Sequence, residues 1–162
     1  IYGMYAGVYH WFPKMYGRMM NKGLGYLHFW GTFICAYGVF FPMHFLGLAG
    51  LPRRYYQNSS FPMFDGLTDI NAVITFFALA GAVFQFIFIF NFFYSIFKGT
   101  KASKNPWQAN TLEWTTPVER IHGNWPGELP TVHRWAYDYS KPGADKDFIL
   151  QTEPLNEGEE EH

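Results

Sequence analysis

The chain has 162 residues, of which 22% are aromatic, and its 12 Lys and Arg against 13 Asp and Glu leave a formal charge of −1. A mean hydropathy of −0.11 alone would fit one soluble domain, but the distribution of charges excludes that interpretation. No Asp, Glu, Lys or Arg occurs in residues 23–52 or 70–97. Each run exceeds the roughly 20 helical residues that a bilayer core requires. We therefore predict an all-α membrane part at 1–97 and a water-facing tail at 98–162.

The chain opens with thirteen uncharged residues, IYGMYAGVYHWFP. At about 1.5 Å per residue this stretch would cover only about 20 Å as a helix, which is too short to cross alone. It lacks the basic start and the small-residue cleavage site of a signal peptide. We expect the last turns of a transmembrane helix whose beginning is missing, so that the chain is a C-terminal fragment.

The positive charges predict the orientation of the two full spans. Two regions separated by both spans face the same side, and together they carry six cations: Lys14, Arg18, Lys22, Lys98, Lys101 and Lys104. The opposite side carries two cations and two acids: Arg53, Arg54, Asp65 and Asp69. Because basic residues concentrate on the cytoplasmic side, the tail and the C-terminus are predicted to be cytoplasmic. The arginine pair then faces outward, against the usual bias.

The first full span is predicted over about residues 25–46 and the second over residues 70–97. Small residues at Gly31, Ala36 and Gly38 would allow close approach of another helix, and Pro42 should kink the first span near its outer end. In the second span, Gln85 should face protein rather than lipid, because a buried amide needs a partner. These polar and small positions imply further helices outside this chain, and so a larger assembly.

Isolated histidines and the single cysteine favour packing roles. His28 and His44 lie sixteen residues apart, about 24 Å along one helix, so they cannot bind one metal together. His10, beside Trp11, is predicted to lie at an interface. For the remaining candidates we expect no metal site at His122 and His133, and a small buried packing residue at Cys35, which cannot form an internal disulfide.

The tail interleaves tryptophans with prolines and lacks sustained helical or strand periodicity, which indicates an extended, largely irregular ribbon whose aromatic residues dock onto a larger surface. It contains seven basic and eleven acidic residues, so we expect no nucleic-acid partner. Its acidic end, TEPLNEGEEEH, is predicted to be disordered.

The paired cations of HFLGLAGLPRR, Arg53 and Arg54, have two interpretations. Juxtamembrane arginines often reach lipid phosphates. Alternatively, the glycine- and proline-containing turn aims two guanidinium groups at buried carboxylates, whose geometry matches the planar donors of arginine. Haem propionates are one familiar source of such carboxylates at membrane depth.

Four segments resemble the C-terminal end of subunit I of haem-copper terminal oxidases, in the cytochrome c oxidase branch: GVYHWFPKMYGRMMN, LGYLHFWGTF, FFPMHFLGLAGLPRRY and NPWQANTLEWTTP. The resemblance covers residues 5–139 in order, and HFLGLAG followed by PRR is its most specific part. TLEW resembles bacterial members, which implies the bacterial inner membrane.

By this resemblance the opening stub ends the tenth of twelve helices, and the two spans are the eleventh and twelfth. Arg53 and Arg54 match the arginine pair that hydrogen-bonds the haem propionates, in the region where pumped protons leave. The resemblance also implies a-type haem and copper in the intact enzyme, cytochrome c as electron donor, and other oxidase subunits as partners. All metal ligands and catalytic residues would precede Ile1, so the fragment alone would not reduce oxygen.

Two departures from the family pattern leave the arginines unchanged: Leu51 stands where Met is usual, and VERI at 118–121 replaces a proline-rich run. Two other interpretations remain open. One is a separate two-helix scaffold subunit of a split membrane complex that binds no cofactor. The other, suggested only by the buried amides, is a fragment of a transporter.

Overall fold

The computed structural model describes residues 1–52, 54, 61–118, 122–139 and 146–155. The chain divides into two compact units, one formed by Ile1–Met20 with Gly99–His162 and the other by Asn21–Lys98. The described residues form helices and irregular segments without a β-strand; their only ladder contacts are two isolated bridges, Arg18 with Lys101 and Tyr139 with Phe148. The predicted division between membrane and tail concerns environment, and it stays a prediction.

Helix α1 covers Tyr2–Tyr16 and confirms the predicted helical stub. It continues through Pro13 and ends at Gly17, whose φ of 65° is left-handed and whose N–H donates to the Pro13 carbonyl over 2.8 Å. Glycine suits this position because it adopts a positive φ without a Cβ clash.

Helix α2 covers Lys22–Leu48, slightly longer than the predicted span. Asn21 caps its beginning, since its side-chain oxygen accepts from the Leu24 N–H over 3.0 Å. The helix continues past Pro42. Its length and composition are sufficient to cross a bilayer.

Helix α3 covers Thr68–Lys98 and follows a short 3₁₀ helix at Pro62–Leu67. Together they form a second segment long and apolar enough to span. The long connection from α2 includes Arg53 and residues 55–60, which lie outside the described residues.

Helices α2 and α3 pack through small residues. A Cβ added at Gly31 would overlap the Phe84 ring, and one added at Gly38 would overlap the Phe77 ring. Between these positions buried Cys35 lies against Gly81, where an added Cβ would come within 3.3 Å of the Cys35 Cβ. The predicted close approach at Gly31 and Gly38 and the packing role of Cys35 are therefore confirmed.

The polar residues of this helix pair also find partners within the chain. Gln85 Nε2 donates to Thr32 Oγ1 and to the Gly81 carbonyl, both over 3.1 Å, which confirms that Gln85 faces protein. Gly31, Gly38 and Gln85 find partners within the α2–α3 pair, so these positions do not by themselves require additional helices, and the larger assembly stays a prediction. Partners beyond the chain are instead suggested by the exposed aromatic side chains of both helices.

The described part of the tail contains a single 3₁₀ helix at Leu112–Thr115 and otherwise irregular backbone, in agreement with the predicted ribbon. Disorder was predicted for the whole acidic end, but residues 152–155 are placed, and the carbonyls of Glu153 and Pro154 accept bonds from Arg134. That part of the prediction is wrong because a distant cation supplies partners that local composition does not reveal. Residues 156–162 lie outside the described part.

Candidate functional site

The turn that follows α2 is stabilised by two backbone bonds and one left-handed glycine. The Leu51 N–H donates to the Leu46 carbonyl and the Gly50 N–H to the Gly47 carbonyl, both over 3.0 Å, with Gly50 at φ 83°. This pattern is a Schellman cap, which satisfies carbonyls that a helix end would otherwise leave unpaired. Pro52 follows immediately and cannot continue the helix. The predicted glycine- and proline-containing turn is confirmed, and it gives the chain a fixed direction toward the arginine pair.

Arg54 lies just beyond this turn with an exposed side chain and a φ of 65°. A non-glycine residue in the left-handed region is uncommon, and such conformations concentrate at ligand sites. Arg53 lies outside the described residues. The structure therefore places one of the two predicted site residues, beyond the end of α2 and with an exposed side chain.

Arg54 and Asn71 lie on either side of the connection between α2 and α3, which also contains Asp65 and Asp69, and each presents N–H donors. The guanidinium of Arg54 presents five N–H donors and remains charged when desolvated. In the first turns of α3, the buried Nδ2 of Asn71 has no hydrogen-bond partner among the described residues. A carboxylate or phosphate is the group that such donors bind, and a haem propionate fits this chemistry.

The histidines of α2 do not form a site with each other. His28 is buried against the Phe88 ring, with centroids 5.1 Å apart, and interacts with the Gln85 side chain, which confirms its packing role. His44 is exposed, and its Nδ1 donates to the Phe40 carbonyl of its own helix over 2.9 Å. In the described ranges, no three His, Cys, Asp or Glu side chains cluster closely enough to hold a metal ion.

Within the first unit, the tail binds the end of α1 through aromatic rings. Trp107 Nε1 donates to the His10 carbonyl over 3.0 Å, and the Trp107 ring stacks on the His10 ring at 5.7 Å. The buried Trp114 ring meets His10 edge-on at 5.1 Å. His10 therefore packs against the tail, while its predicted place at the cytoplasmic edge of the membrane stays a prediction.

Two cations, Lys14 near the end of α1 and Arg18 just beyond it, extend this contact. Lys14 Nζ lies 5.3 Å from the centre of the Trp114 ring and donates to Thr116 Oγ1 over 2.8 Å, while Arg18 donates to the Gly99 carbonyl over 2.6 Å. Burial lowers the pKa of Lys14, and the negative charge of Glu113 acts in the opposite direction. These contacts bring the end of α1 and the loop after it together with the start of the tail.

The second unit contains a polar clamp that was not predicted from the sequence. In it, Asn91 and Ser95 bind the backbone of Asn21. The Asn21 N–H donates to Asn91 Oδ1 over 3.2 Å and to Ser95 Oγ over 3.1 Å, while Asn91 Nδ2 donates to the Asn21 carbonyl over 3.1 Å. Ser95 Oγ in turn donates to Asn91 Oδ1 over 3.0 Å. The N-x-x-x-S spacing on α3 was the available signal, but nothing in it reveals a backbone partner 70 residues away.

The tail contains a second unforeseen arrangement, around buried Arg134. Its guanidinium pairs with Asp138 at 3.3 Å and donates to the carbonyls of Glu153 and Pro154 over 3.0 and 2.7 Å. Asn110 Nδ2 binds the Asp138 carbonyl over 2.9 Å. The i, i+4 spacing of opposite charges was visible in the sequence, although the burial of the pair was not.

Two paired apolar helices of spanning length, with polar groups between them, are consistent with a helical membrane protein. The family model described as cytochrome C and quinol oxidase polypeptide I matches residues 1–83, which include α1, α2, the arginine turn and the first half of α3. The chain therefore belongs to the subunit I family of these oxidases.

Several curated relatives agree with this assignment. The alternative cytochrome c oxidase subunit 1 of Bradyrhizobium diazoefficiens is 51% identical over 92% of this chain and 26% of its own length. Cytochrome c oxidase subunit 1 of Thermostichus vulcanus is 43% identical over 86% of this chain and 24% of its own length. Cytochrome c oxidase subunit 1 of a Synechocystis species is 43% identical over 95% of this chain and 26% of its own length. The chain thus spans about a quarter of the length of these relatives.

Proposed function

We propose that the chain is the C-terminal part of the catalytic subunit of a terminal respiratory oxidase, which transfers electrons from cytochrome c to oxygen, forms water and pumps protons. The observation that carries this proposal is the family match over residues 1–83, which includes the turn that presents Arg54. These relatives are named as cytochrome c oxidases, which favours cytochrome c over quinol as electron donor.

In this proposal Arg53 and Arg54 hold the propionates of the two haems. Haem, a-type, and copper would supply the redox chemistry, with all metal ligands in the preceding part of the subunit. The Schellman turn fixes the backbone that leads to the arginines, and the guanidinium groups donate to carboxylate oxygens. Their positive charge stabilises the more negative, reduced form of a haem, and so raises its reduction potential.

We further propose a bacterial inner-membrane location with the C-terminus in the cytoplasm, as part of a twelve-helix bundle. The excess of cations near Lys14 and Lys98 supports this orientation, as do the contacts between the end of α1 and the tail. The rest of subunit I, the other oxidase subunits and the lipid bilayer are the expected partners.

The test is Arg54→Gln, and separately Arg53→Gln, in the intact enzyme. Loss of a nearby positive charge should lower at least one haem potential by about 60 mV, the one-electron equivalent of about 1.4 kcal/mol. The matched control is Lys22→Gln, which removes the same charge from the opposite end of α2, about 40 Å away and well beyond a Debye length. Unchanged potentials and an unchanged proton-pumping ratio in both arginine variants would defeat the assignment.

A separate scaffold subunit without cofactor is the second candidate, favoured by one observation: α2 and α3 satisfy Gln85, Asn91 and Ser95 within their own pair. Oxidised and dithionite-reduced optical spectra of the complex purified through a tag at His162 separate the two functions. Haem bands that co-purify with the chain support the oxidase, whereas a haem-free complex supports the scaffold.

A further inference from the structure

Gln151 connects three separate segments of the tail. Its backbone N–H donates to the Asn110 carbonyl over 3.0 Å, and its own carbonyl accepts from the His133 N–H over 2.8 Å. Its side-chain Oε1 accepts from the Leu112 N–H over 3.0 Å, while Nε2 donates to the Arg134 carbonyl over 3.2 Å. Gln151 therefore binds backbone groups of distant segments with both its main chain and its side chain.

Arg134 fixes the residues that follow Gln151. Its Nε donates to the Glu153 carbonyl over 3.0 Å, and a terminal nitrogen donates to the Pro154 carbonyl over 2.7 Å. The same guanidinium is buried and pairs with Asp138 at 3.3 Å. We call residues 151–154 the strap, because these bonds hold them across the rest of the tail.

The strap caps the 3₁₀ helix at Leu112–Thr115. The N–H groups at the start of a helix have no acceptor within the helix and need one from elsewhere. Among the described residues, the side chain of the preceding Thr111 makes no capping hydrogen bond. Gln151 Oε1 accepts from the Leu112 N–H instead. The beginning of this short helix is therefore stabilised by a residue of the strap.

The same short helix provides contacts between the tail and α1. The Trp114 ring is only 2% exposed and meets the His10 ring edge-on at 5.1 Å, and Lys14 Nζ lies 5.3 Å from its centre. The Glu113 carboxylate accepts a hydrogen bond from Trp11 Nε1. A continuous series of contacts therefore runs from the strap, through the capped helix, to α1.

We propose that the strap and the contact between Trp114 and α1 form and open together, as one conformational latch. With the strap bound, the 3₁₀ helix is capped and Trp114 lies against α1. With the strap displaced, the Leu112 N–H loses its acceptor, the helix frays and the Trp114 contact weakens. Such coupling is reciprocal, so loss of the Trp114 contact should also loosen the strap.

The strap acts on α1 indirectly. None of the hydrogen bonds that the structure describes for residues 151–154 involves α1. Displacement or proteolytic removal of the strap would nevertheless release the 3₁₀ helix from α1, because the helix would lose its cap. All these contacts lie within one compact unit of the chain, so the latch does not depend on the identity of the assembly.

Hydroxyl-radical labelling of the intact membrane complex, read by mass spectrometry, measures the exposure of Trp114. Gln151→Ala removes both side-chain bonds of the strap residue and should raise the labelling of Trp114 about tenfold, the population change that corresponds to about 1.4 kcal/mol. Thr152→Ala is the matched control, since it lies in the strap but removes neither bond, and its labelling should equal that of wild type. Equal labelling of Trp114 in Gln151→Ala and wild type would overturn the latch.

A second position in the same samples separates opening of the latch from unfolding of the tail. Asn105 binds the N–H and the carbonyl of Ala109, over 3.0 and 2.7 Å, without help from the strap. Hydrogen exchange at the Ala109 amide should therefore keep its wild-type rate in Gln151→Ala. Acceleration there by the same factor as the labelling of Trp114 would indicate general unfolding and would count against a latch.

Gln151→Glu tests the cap itself. Glutamate keeps an oxygen acceptor for the Leu112 N–H but loses the donor to the Arg134 carbonyl. Trp114 should therefore remain protected from labelling in this variant. Labelling as high as in Gln151→Ala would refute the cap as the link between the strap and α1.

Trp114→Leu tests the reverse direction. The Gln151 amide, which donates to the Asn110 carbonyl, should exchange faster, and by a similar factor, because coupling between two sites is mutual. The matched control is Trp135→Leu, the same substitution at a side chain that is 60% exposed, and it should leave exchange at Gln151 unchanged. Wild-type exchange at Gln151 in Trp114→Leu would show that the two contacts open independently and would overturn the proposal.

Discussion

The helix pair α2–α3 and the tail satisfy their backbone hydrogen-bonding groups in different ways. In the helix pair, backbone groups bond within each helix, Gly31 and Gly38 meet the rings of Phe84 and Phe77 between the helices, and many other aromatic side chains are exposed. In the tail, side chains bond to the backbone: Asn105 binds both polar groups of Ala109, Gln151 binds Leu112, and Arg134 binds two carbonyls.

This difference shows which interactions determine the structure of each region. A spanning helix must satisfy its backbone internally because lipid offers no partners, so its side chains are left to select a neighbour. An irregular segment has no such ladder, so individual polar side chains must fix its path. Loss of one polar side chain should therefore disturb the tail more than the helix pair, and four experiments test this contrast in order of decreasing effect.

The largest effect is expected for Arg134→Met. Removal of one member of a buried ion pair leaves Asp138 uncompensated, at a cost of about 3–5 kcal/mol. Hydrogen exchange of the tail amides, among them that of Gln151, should accelerate strongly. The double variant Arg134→Met with Asp138→Leu should recover part of the loss, since no charge is then left buried. A double variant as unstable as the single one would show that the carbonyl contacts, and not the charge pair, dominate.

In the helix pair, Gly31→Ala should cost about 1–3 kcal/mol, because the new Cβ overlaps the Phe84 ring and forces it to move. Thermal unfolding of the oxidase, followed by circular dichroism, measures the change. Gly47→Ala is the matched control, since it lies on the same helix with open space around its Cα. If both substitutions left the unfolding temperature unchanged, the close approach of the two helices would be refuted.

Asn91→Ala removes the contacts with the Asn21 backbone and should cost about 1–2 kcal/mol, within the range of interhelical hydrogen bonds in membranes. The same unfolding measurement applies. Thr75→Ala also removes a hydrogen bond of α3, but an exposed one to the Asn71 carbonyl of its own helix, and should have almost no effect. Equal effects of the two substitutions would argue against a clamp between helices.

The smallest effect is expected at the turn after α2. Gly50→Ala forces a side chain into φ 83° and should cost about 1 kcal/mol, whereas Gly50→Asn should cost less because asparagine tolerates this region. Unfolding temperatures should rank wild type above the Asn variant and the Asn variant above the Ala variant. An Ala variant as stable as wild type would mean that the Schellman cap is not required to hold the path toward Arg54.

The sequence predicted the helix pair well because its signals are local. Uncharged runs located both spans to within a few residues, and glycine spacing identified the seam at Gly31 and Gly38. The partners of Asn91 and Arg134 could not be predicted, because they are backbone groups brought close only by the complete fold. The arginine turn lies between these cases. The glycines and proline of GLAGLP predicted the turn, whereas the role of Arg53 and Arg54 stays a prediction to be tested in the intact enzyme.

The contact between Asn21 and Asn91 has a consequence for biosynthesis. The N–H of Asn21, just before α2, donates to Asn91 and Ser95, which leave the ribosome 70 and 74 positions later. Until α3 is made, water must solvate that peptide group, so the start of α2 is held at the membrane surface. Once α3 arrives, its amide replaces the water and the loop no longer needs solvent contact there. The two helices are thus expected to reach their final depth together, as one late step in membrane insertion.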